Sequence, residues 1–142
     1  MRLPILFLLS ILPYKVSHAA DTLQIIAHAE ADTLTLTKSQ VKELYMSGSA
    51  SFDNIDVTLT AVTIPPGKRA RLIFNARIIG LPESRIQSYW AQMQFSGRTS
   101  RPIEVEDKTA LLNYVQDNRG AVGYVIKGTP LPSNVDVVYT ID

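Results

Sequence analysis

The sequence contains no cysteine. This absence excludes disulfide bonds, thiol nucleophiles and thiolate metal sites, and it excludes the lipid that a lipoprotein carries on an N-terminal Cys. Histidine is scarce as well, with His18 and His28 as its two occurrences. A lone His28 in an apolar segment lacks the partner that acid–base catalysis requires, and one His without Cys does not make a metal site. We therefore expect neither an enzyme nor a metal or cofactor site.

An excess of charge of one sign is also lacking. The chain has 14 Lys and Arg residues against 13 Asp and Glu residues, for a formal net charge of +1. A strongly basic chain would indicate nucleic acid or an anionic membrane as a partner, whereas this balance favours neither.

No apolar stretch at the N-terminus is long enough to span a bilayer. The run from Leu3 to Leu12 has about ten residues and ends at Pro13, whereas a membrane span needs about 20. It follows a positive Met1-Arg2 and precedes a more polar segment that ends in Ser17-His18-Ala19. This order of charged start, apolar core and small-residue site is typical of a secretory signal peptide.

We therefore predict a signal peptide over residues 1–19 and one domain over residues 20–142. Cleavage after Ala19 or after Ala20 satisfies the small-residue rule equally well. Loss of Arg2 and Lys15 leaves 12 basic residues against 13 acidic ones. The expected product is periplasmic or secreted, without a stable membrane anchor.

Strands and helices alternate along residues 20–142. Strands are predicted where apolar and β-branched residues concentrate, over Leu23–Ala29, Val57–Ile64, Ala121–Ile126 and Val135–Ile141, with a short extended piece at Arg101–Val105. Helices are predicted to begin at Thr37, where Gln40 completes a capping box, at about Lys68, after Pro82 and at Asp107. This alternation favours a layered α/β domain with one core.

Several residues have predicted structural roles in this arrangement. Tyr89 and Trp90 lie with Ile86 on one helical face and are interpreted as core. Gly80 and Gly120 are expected to end helices, and Gly123 to allow close packing of a strand. The Ser- and Gly-rich stretch Ser47–Asn54 is expected to be a loop.

Four segments, in order, resemble the phosphate-type periplasmic substrate-binding proteins. They are the run Leu36–Tyr45, the strand Val57–Ile64 with its Pro-Gly turn and Arg71-Leu72-Ile73-Phe74, the set Trp90, Phe95-Ser96-Gly97 and Pro102, and Gly120-Ala121-Val122-Gly123-Tyr124-Val125. The resemblance implies that residues 20–142 form a periplasmic-binding-protein-like domain. Its implied fold is a single lobe of a type II periplasmic binding protein, a mixed sheet flanked by helices. Members of that family have two such lobes, and this chain has about half their length.

The resemblance implies an exported solute-binding-like module, linked to ABC-type uptake or to envelope sensing. A single lobe would need a second copy, a partner protein or an open shallow site, so a membrane transporter, a sensor or a homodimer is an expected partner. The alternative is an envelope interaction module that keeps the fold and binds a protein or itself without a ligand.

The candidate binding residues are Gly67, Lys68, Arg69 and Arg71, at the start of the second predicted helix. Unpaired N–H groups at a helix start suit a small oxyanion such as phosphate, and cations there are unfavourable for the helix unless an anion offsets them. The family's turn has hydroxyl side chains that hold phosphate, whereas Lys68 and Ala70 stand at those positions here. The alternative of a solvated helix start stays open.

Overall fold

The computed structural model describes residues 22–29, 34–98 and 100–141. The predicted signal peptide and its cleavage site lie outside the described residues. The strands within them are β1 (Leu23–His28), β2 (Ser49–Ala50), β3 (Leu59–Thr63), β4 (Ile103–Glu104), β5 (Ala121–Ile126) and β6 (Val135–Ile141). The α-helices are α1 (Lys38–Ser47), α2 (Arg69–Phe74), α3 (Glu83–Phe95) and α4 (Lys108–Asp117), and α2 continues as a π-helical turn over Asn75–Ile79.

The strands form one mixed sheet in the order β2-β3-β5-β1-β6. β3 runs parallel to β5, whereas β1 is antiparallel to both of its neighbours, β5 and β6. The outer edge of β3 is shared, because β2 pairs with Leu59 and Thr60 and β4 pairs in parallel with Val62 and Thr63. The mixed sheet with its flanking helices confirms the predicted fold class.

Two of the four predicted helix starts, at Thr37 and Asp107, are confirmed by side-chain capping hydrogen bonds. The Thr37 hydroxyl accepts from the Gln40 amide at 3.2 Å, and the Gln40 side chain accepts from the Thr37 amide at 2.9 Å, which completes the capping box. Asp107 caps α4 by accepting from the Ala110 amide at 2.9 Å. Each cap satisfies backbone N–H groups that have no partner within the helix.

The core lies between the sheet and the helices that cover it. Ile86 and Trp90 of α3 are buried there, and the Trp90 indole donates to the Tyr45 carbonyl oxygen at 3.1 Å. Tyr89 lies at the margin of this core and is half-buried. Gly123 of β5 lies directly under α4, as predicted, since a Cβ at this position would lie 2.7 Å from the Leu111 Cδ2 atom.

Three local predictions differ from the structure. The segment predicted as a loop contains β2, because the chain reverses at Gly48 (φ 80°) and pairs with β3. α4 ends at Asp117, before Gly120, which instead forms the turn into β5 with φ 82°. The second helix widens into a π-turn that closes with a 2.7 Å bond from the Gly80 amide to the Asn75 carbonyl oxygen.

Candidate functional site

The parallel pairing of β3 with β5 brings the carboxyl ends of these two strands to the same edge of the sheet. The chain leaves β3 through the turn at Pro65–Gly67 and enters α2, and it leaves β4 directly into α4. Both helices therefore begin at this edge. In open α/β sheets, ligand sites form outside the carboxyl ends of parallel strands for this reason.

A cleft of about 300 Å³ lies at this edge. The strand ends contribute apolar surface, and the two helix starts contribute the charged side chains. Its lining residues are Ile64, Lys68, Arg69, Ala70, Asp107, Lys108, Tyr124, Val125, Ile126 and Thr129.

Two of the four candidate residues from the sequence, Lys68 and Arg69, line this cleft. Gly67 lies in the adjoining turn with φ 88°, a left-handed conformation that Gly adopts without strain. A Cβ at Gly67 would meet no atom within 4 Å, so this glycine provides backbone conformation and not close approach. Lys68 is the N-cap of α2 and makes no side-chain capping bond, which leaves the first amides of the helix without that partner.

Arg71 is separated from the other candidates and points into the protein. Its side chain is 2% exposed, and its guanidinium forms a two-bond pair with Glu83 at 2.7 and 2.8 Å. A third nitrogen, Nη1, donates to Glu104 at 2.9 Å and to the Ile64 carbonyl oxygen at 2.8 Å. The guanidinium carbon also lies 5.8 Å from the centre of the Trp90 ring. Arg71 thus links the end of β3 to α3 and β4, and it is not among the lining residues of the cleft.

The ion pair with Arg71 sets the protonation of Glu83. Partial burial raises the pKa of Glu83, but the hydrogen bonds from Arg71 and Gln87, together with the Arg71 charge, outweigh that effect and hold the pKa below its ordinary value. Glu83 is therefore ionised at neutral pH. Asn75 adds a further bond to the same carboxylate at 3.1 Å, so α2 and its π-turn are held to α3 by one carboxylate.

Tyr124 contributes an aromatic ring to the cleft and keeps its hydroxyl occupied. The hydroxyl lies 2.6 Å from the Thr63 hydroxyl, and the ring stacks on Phe74 at 4.3 Å between centroids. Burial raises the pKa of Tyr124 to about 12, although the Thr63 hydrogen bond opposes this. The phenol is consequently neutral at physiological pH and places no negative charge beside the cleft.

Lys108, Asp107, Tyr124 and Thr129 are lining residues that the sequence reasoning did not select as site residues. The capping signal at Asp107 is the local clue to these residues. It predicts a helix start after β4, and that start lies at the same sheet edge as the start of α2. Arg101, which precedes β4, is engaged within the fold, since its guanidinium donates to the side chains of Gln94 and Gln87 at 2.7 Å each.

The described residues contain no cluster of three or more His, Asp or Glu side chains that could hold a metal ion. None of the helices in that part of the chain is long and apolar enough to cross a membrane. His28 is half-buried, and its Nδ1 atom lies 2.8 Å from the Gln116 carbonyl oxygen at the end of α4.

Solved structures define the class of this fold, which is that of one lobe of an ABC-transporter substrate-binding protein. The chain is similar to an ABC-type phosphate transport receptor from Vibrio cholerae, with a TM-score of 0.62 and 18% identity over 83% of this chain and 45% of that one. It is also similar to a putative phosphate ABC transporter substrate-binding protein with bound phosphate from Clostridium perfringens, with a TM-score of 0.64, 19% identity and coverage of 83% and 44%.

The chain thus spans less than half the length of either structure. No protein-family model matches the sequence, and no curated protein matches it either. At this level of identity the likeness shows the fold alone, and it confirms the single binding-protein lobe that the ordered motifs predicted.

Proposed function

We propose that this chain is an exported solute-binding-like module that holds a small oxyanion in the cleft at the carboxyl ends of β3 and β5. The observation that carries the proposal is the convergence of Lys68, Arg69 and Lys108 at the starts of two helices around one cleft. Cations and helix starts both favour a bound negative charge. The two similar structures are of a phosphate transport receptor and a putative phosphate ABC transporter substrate-binding protein, in agreement with this chemistry.

The four candidate residues take different parts in this proposal. Lys68 and Arg69 contact the anion, Gly67 shapes the turn that presents them, and Arg71 fixes the turn by holding the Ile64 carbonyl oxygen. The role is binding without catalysis, carried out in the periplasm or after secretion. The bound solute is passed to a membrane transporter or presented to a sensor, and a second copy or a partner protein covers the open side of the cleft.

A thermal-shift titration with phosphate and sulfate tests the proposal. A ligand that binds the folded state alone stabilises it by about 1.4 kcal/mol at ten times its Kd, which raises the Tm by a few degrees. The double variant K68A/R69A is expected to lose this rise. The matched control R85A/R98A removes the same charge from exposed positions outside the cleft and should keep it.

A second candidate function, the interaction module that binds a protein or itself, is favoured by exposed apolar side chains. Phe95 at the end of α3 is 96% exposed, and Leu72 of α2 is 55% exposed. Light scattering on the same samples separates the two functions. A defined dimer whose Tm does not respond to any anion supports the interaction module, whereas an anion-dependent Tm that requires Lys68 and Arg69 supports the binding module.

A further inference from the structure

The hydroxyl groups that line the cleft already have partners within the protein. The Tyr124 hydroxyl is bonded to Thr63 at 2.6 Å, and the Thr129 hydroxyl donates to the Ile126 carbonyl oxygen at 2.7 Å. Side-chain contacts to an anion must therefore come from Lys68, Arg69 and Lys108. Arg69 also interacts with another residue of the chain, so it has a contact within the fold and lines the cleft as well.

Apart from the carboxylate of Asp107, the rest of the lining is apolar. Ala70 and Ile126 are half-buried, whereas Ile64, Tyr124 and Val125 are at most 5% exposed, so the apolar surface open to a ligand comes mainly from Ala70 and Ile126. Desolvating an inorganic oxyanion against such a surface is costly, because its oxygens lose water without gaining donors there. An apolar group placed on the same surface is instead stabilised by the area removed from water.

The volume of the cleft also favours a ligand that has an apolar part. Its volume of about 300 Å³ lies at the lower end of the range of small-molecule sites and is well above that of one tetrahedral oxyanion. A single ring or a branched chain with one charged group would occupy it. Sites of this kind typically combine apolar walls with a few placed polar groups, which matches cationic helix starts beside apolar strand ends.

We propose that the cleft takes a small organic anion, in which one phosphoryl or carboxylate group is carried on a compact apolar body. This inference rests on the proposed function, since it uses the same cleft and the same cations. The anionic group lies beside Lys68, Arg69 and Lys108, and the apolar body lies on Ala70 and on Ile126 at the end of β5.

Calorimetric titration of the purified protein with four probes tests this ligand class. The probes are inorganic phosphate, phenyl phosphate, phenylacetate and the neutral benzyl alcohol. At least one aromatic anion is expected to bind about tenfold or more tightly than inorganic phosphate, because its ring removes apolar surface from water. The two aromatic anions distinguish a phosphoryl from a carboxylate head, and benzyl alcohol is expected to bind more weakly than the preferred anion.

Three outcomes overturn the inference. Inorganic phosphate that binds as tightly as both aromatic anions would remove the role of the apolar surface and leave the proposed function standing. Benzyl alcohol that binds as tightly as the aromatic anions would remove the role of charge. Absence of binding by all three anions would overturn this inference and the proposed function together.

A substitution within the apolar part of the cleft provides a second measurement. Ala70→Leu fills the cleft with a helix-compatible side chain and is expected to lower the ratio of aromatic-anion affinity to phosphate affinity by about tenfold. Ala91→Leu makes the same change at an exposed position of α3 and should leave that ratio unchanged. An unchanged ratio in Ala70→Leu, with the protein folded by circular dichroism, contradicts the assignment.

Discussion

At the residue scale, Arg71 and Lys68 differ in burial although they lie one helical turn apart in the chain. Lys68 is exposed at the cleft, whereas Arg71 is buried with four hydrogen bonds to two carboxylates and one backbone carbonyl. A buried guanidinium requires this degree of pairing, because an uncompensated charge in the interior is strongly unfavourable. Arg71 therefore acts on the cleft only through the turn that it holds.

Removal of Arg71 should destabilise the protein clearly. We expect Arg71→Met to lower the free energy of unfolding by about 2–3 kcal/mol, somewhat less than for a fully buried pair, because the remaining carboxylates can regain water. The Glu83 side chain is 26% exposed and that of Glu104 is 51% exposed. Urea unfolding measures the change. Arg85→Met at an exposed position of α3 is the control and should stay within about 0.5 kcal/mol.

The same ion pair predicts a pH dependence of stability. The pKa of Glu83 is held below its ordinary value in the folded state, so the folded protein binds fewer protons than the unfolded chain as the pH falls toward that ordinary value. The contribution is therefore complete above the ordinary carboxyl pKa and is lost as the pH falls through the lowered one. Urea midpoints between pH 7 and pH 3 should fall less in Glu83→Gln than in the parent protein. Equal slopes in the two proteins would contradict this role.

At the element scale, α4 packs closely on β5 at Gly123, which has no side chain. Gly123 has no positive φ, so an alanine fits the backbone there, but its Cβ would lie 2.7 Å from the Leu111 Cδ2 atom. The close approach of α4 to the sheet thus depends on the absence of a Cβ and not on backbone conformation. The same helix begins at the cleft, where Asp107 and Lys108 are lining residues.

Gly123→Ala should accordingly cost about 1–3 kcal/mol, because the Leu111 side chain or the helix must shift. Equilibrium unfolding of a double-mutant cycle with Leu111→Val separates this contact from other effects of the alanine. The shorter valine should reduce the cost of the alanine. A cost of Gly123→Ala that is the same in both backgrounds would show that the contact with Leu111 is not its cause.

At the scale of the whole molecule, the cleft exists because strands distant in the chain are neighbours in the sheet. Val62 and Thr63 of β3 pair in parallel with Ile103–Glu104 of β4. Because β3 leads into α2 and β4 leads into α4, this pairing brings Lys68 and Lys108 to the same cleft. Neither the pair Lys68 and Arg69 nor Lys108 indicates an anion site alone. Their meeting at one sheet edge is what makes an anion site chemically reasonable, because each helix start adds to the same local potential.

Much of the fold follows from local sequence signals. Thr37 and Gln40 form their capping box and Asp107 caps α4, because these bonds are made within one helical turn. The short strand Ser49–Ala50 is not predictable from the sequence, because two residues show no periodicity. They form a strand only by pairing with β3.

Local sequence patterns specify the capped helix starts, the apolar faces and the order of motifs that resembles the lobe, since these depend on neighbours in the chain. The tertiary structure alone decided which cations face the cleft. Arg71 is drawn inward by Glu83 and Glu104, which lie 12 and 33 residues further along the chain. Lys108 joins Lys68 through sheet pairing. Contacts of this range depend on packing of the whole domain, which no local pattern specifies.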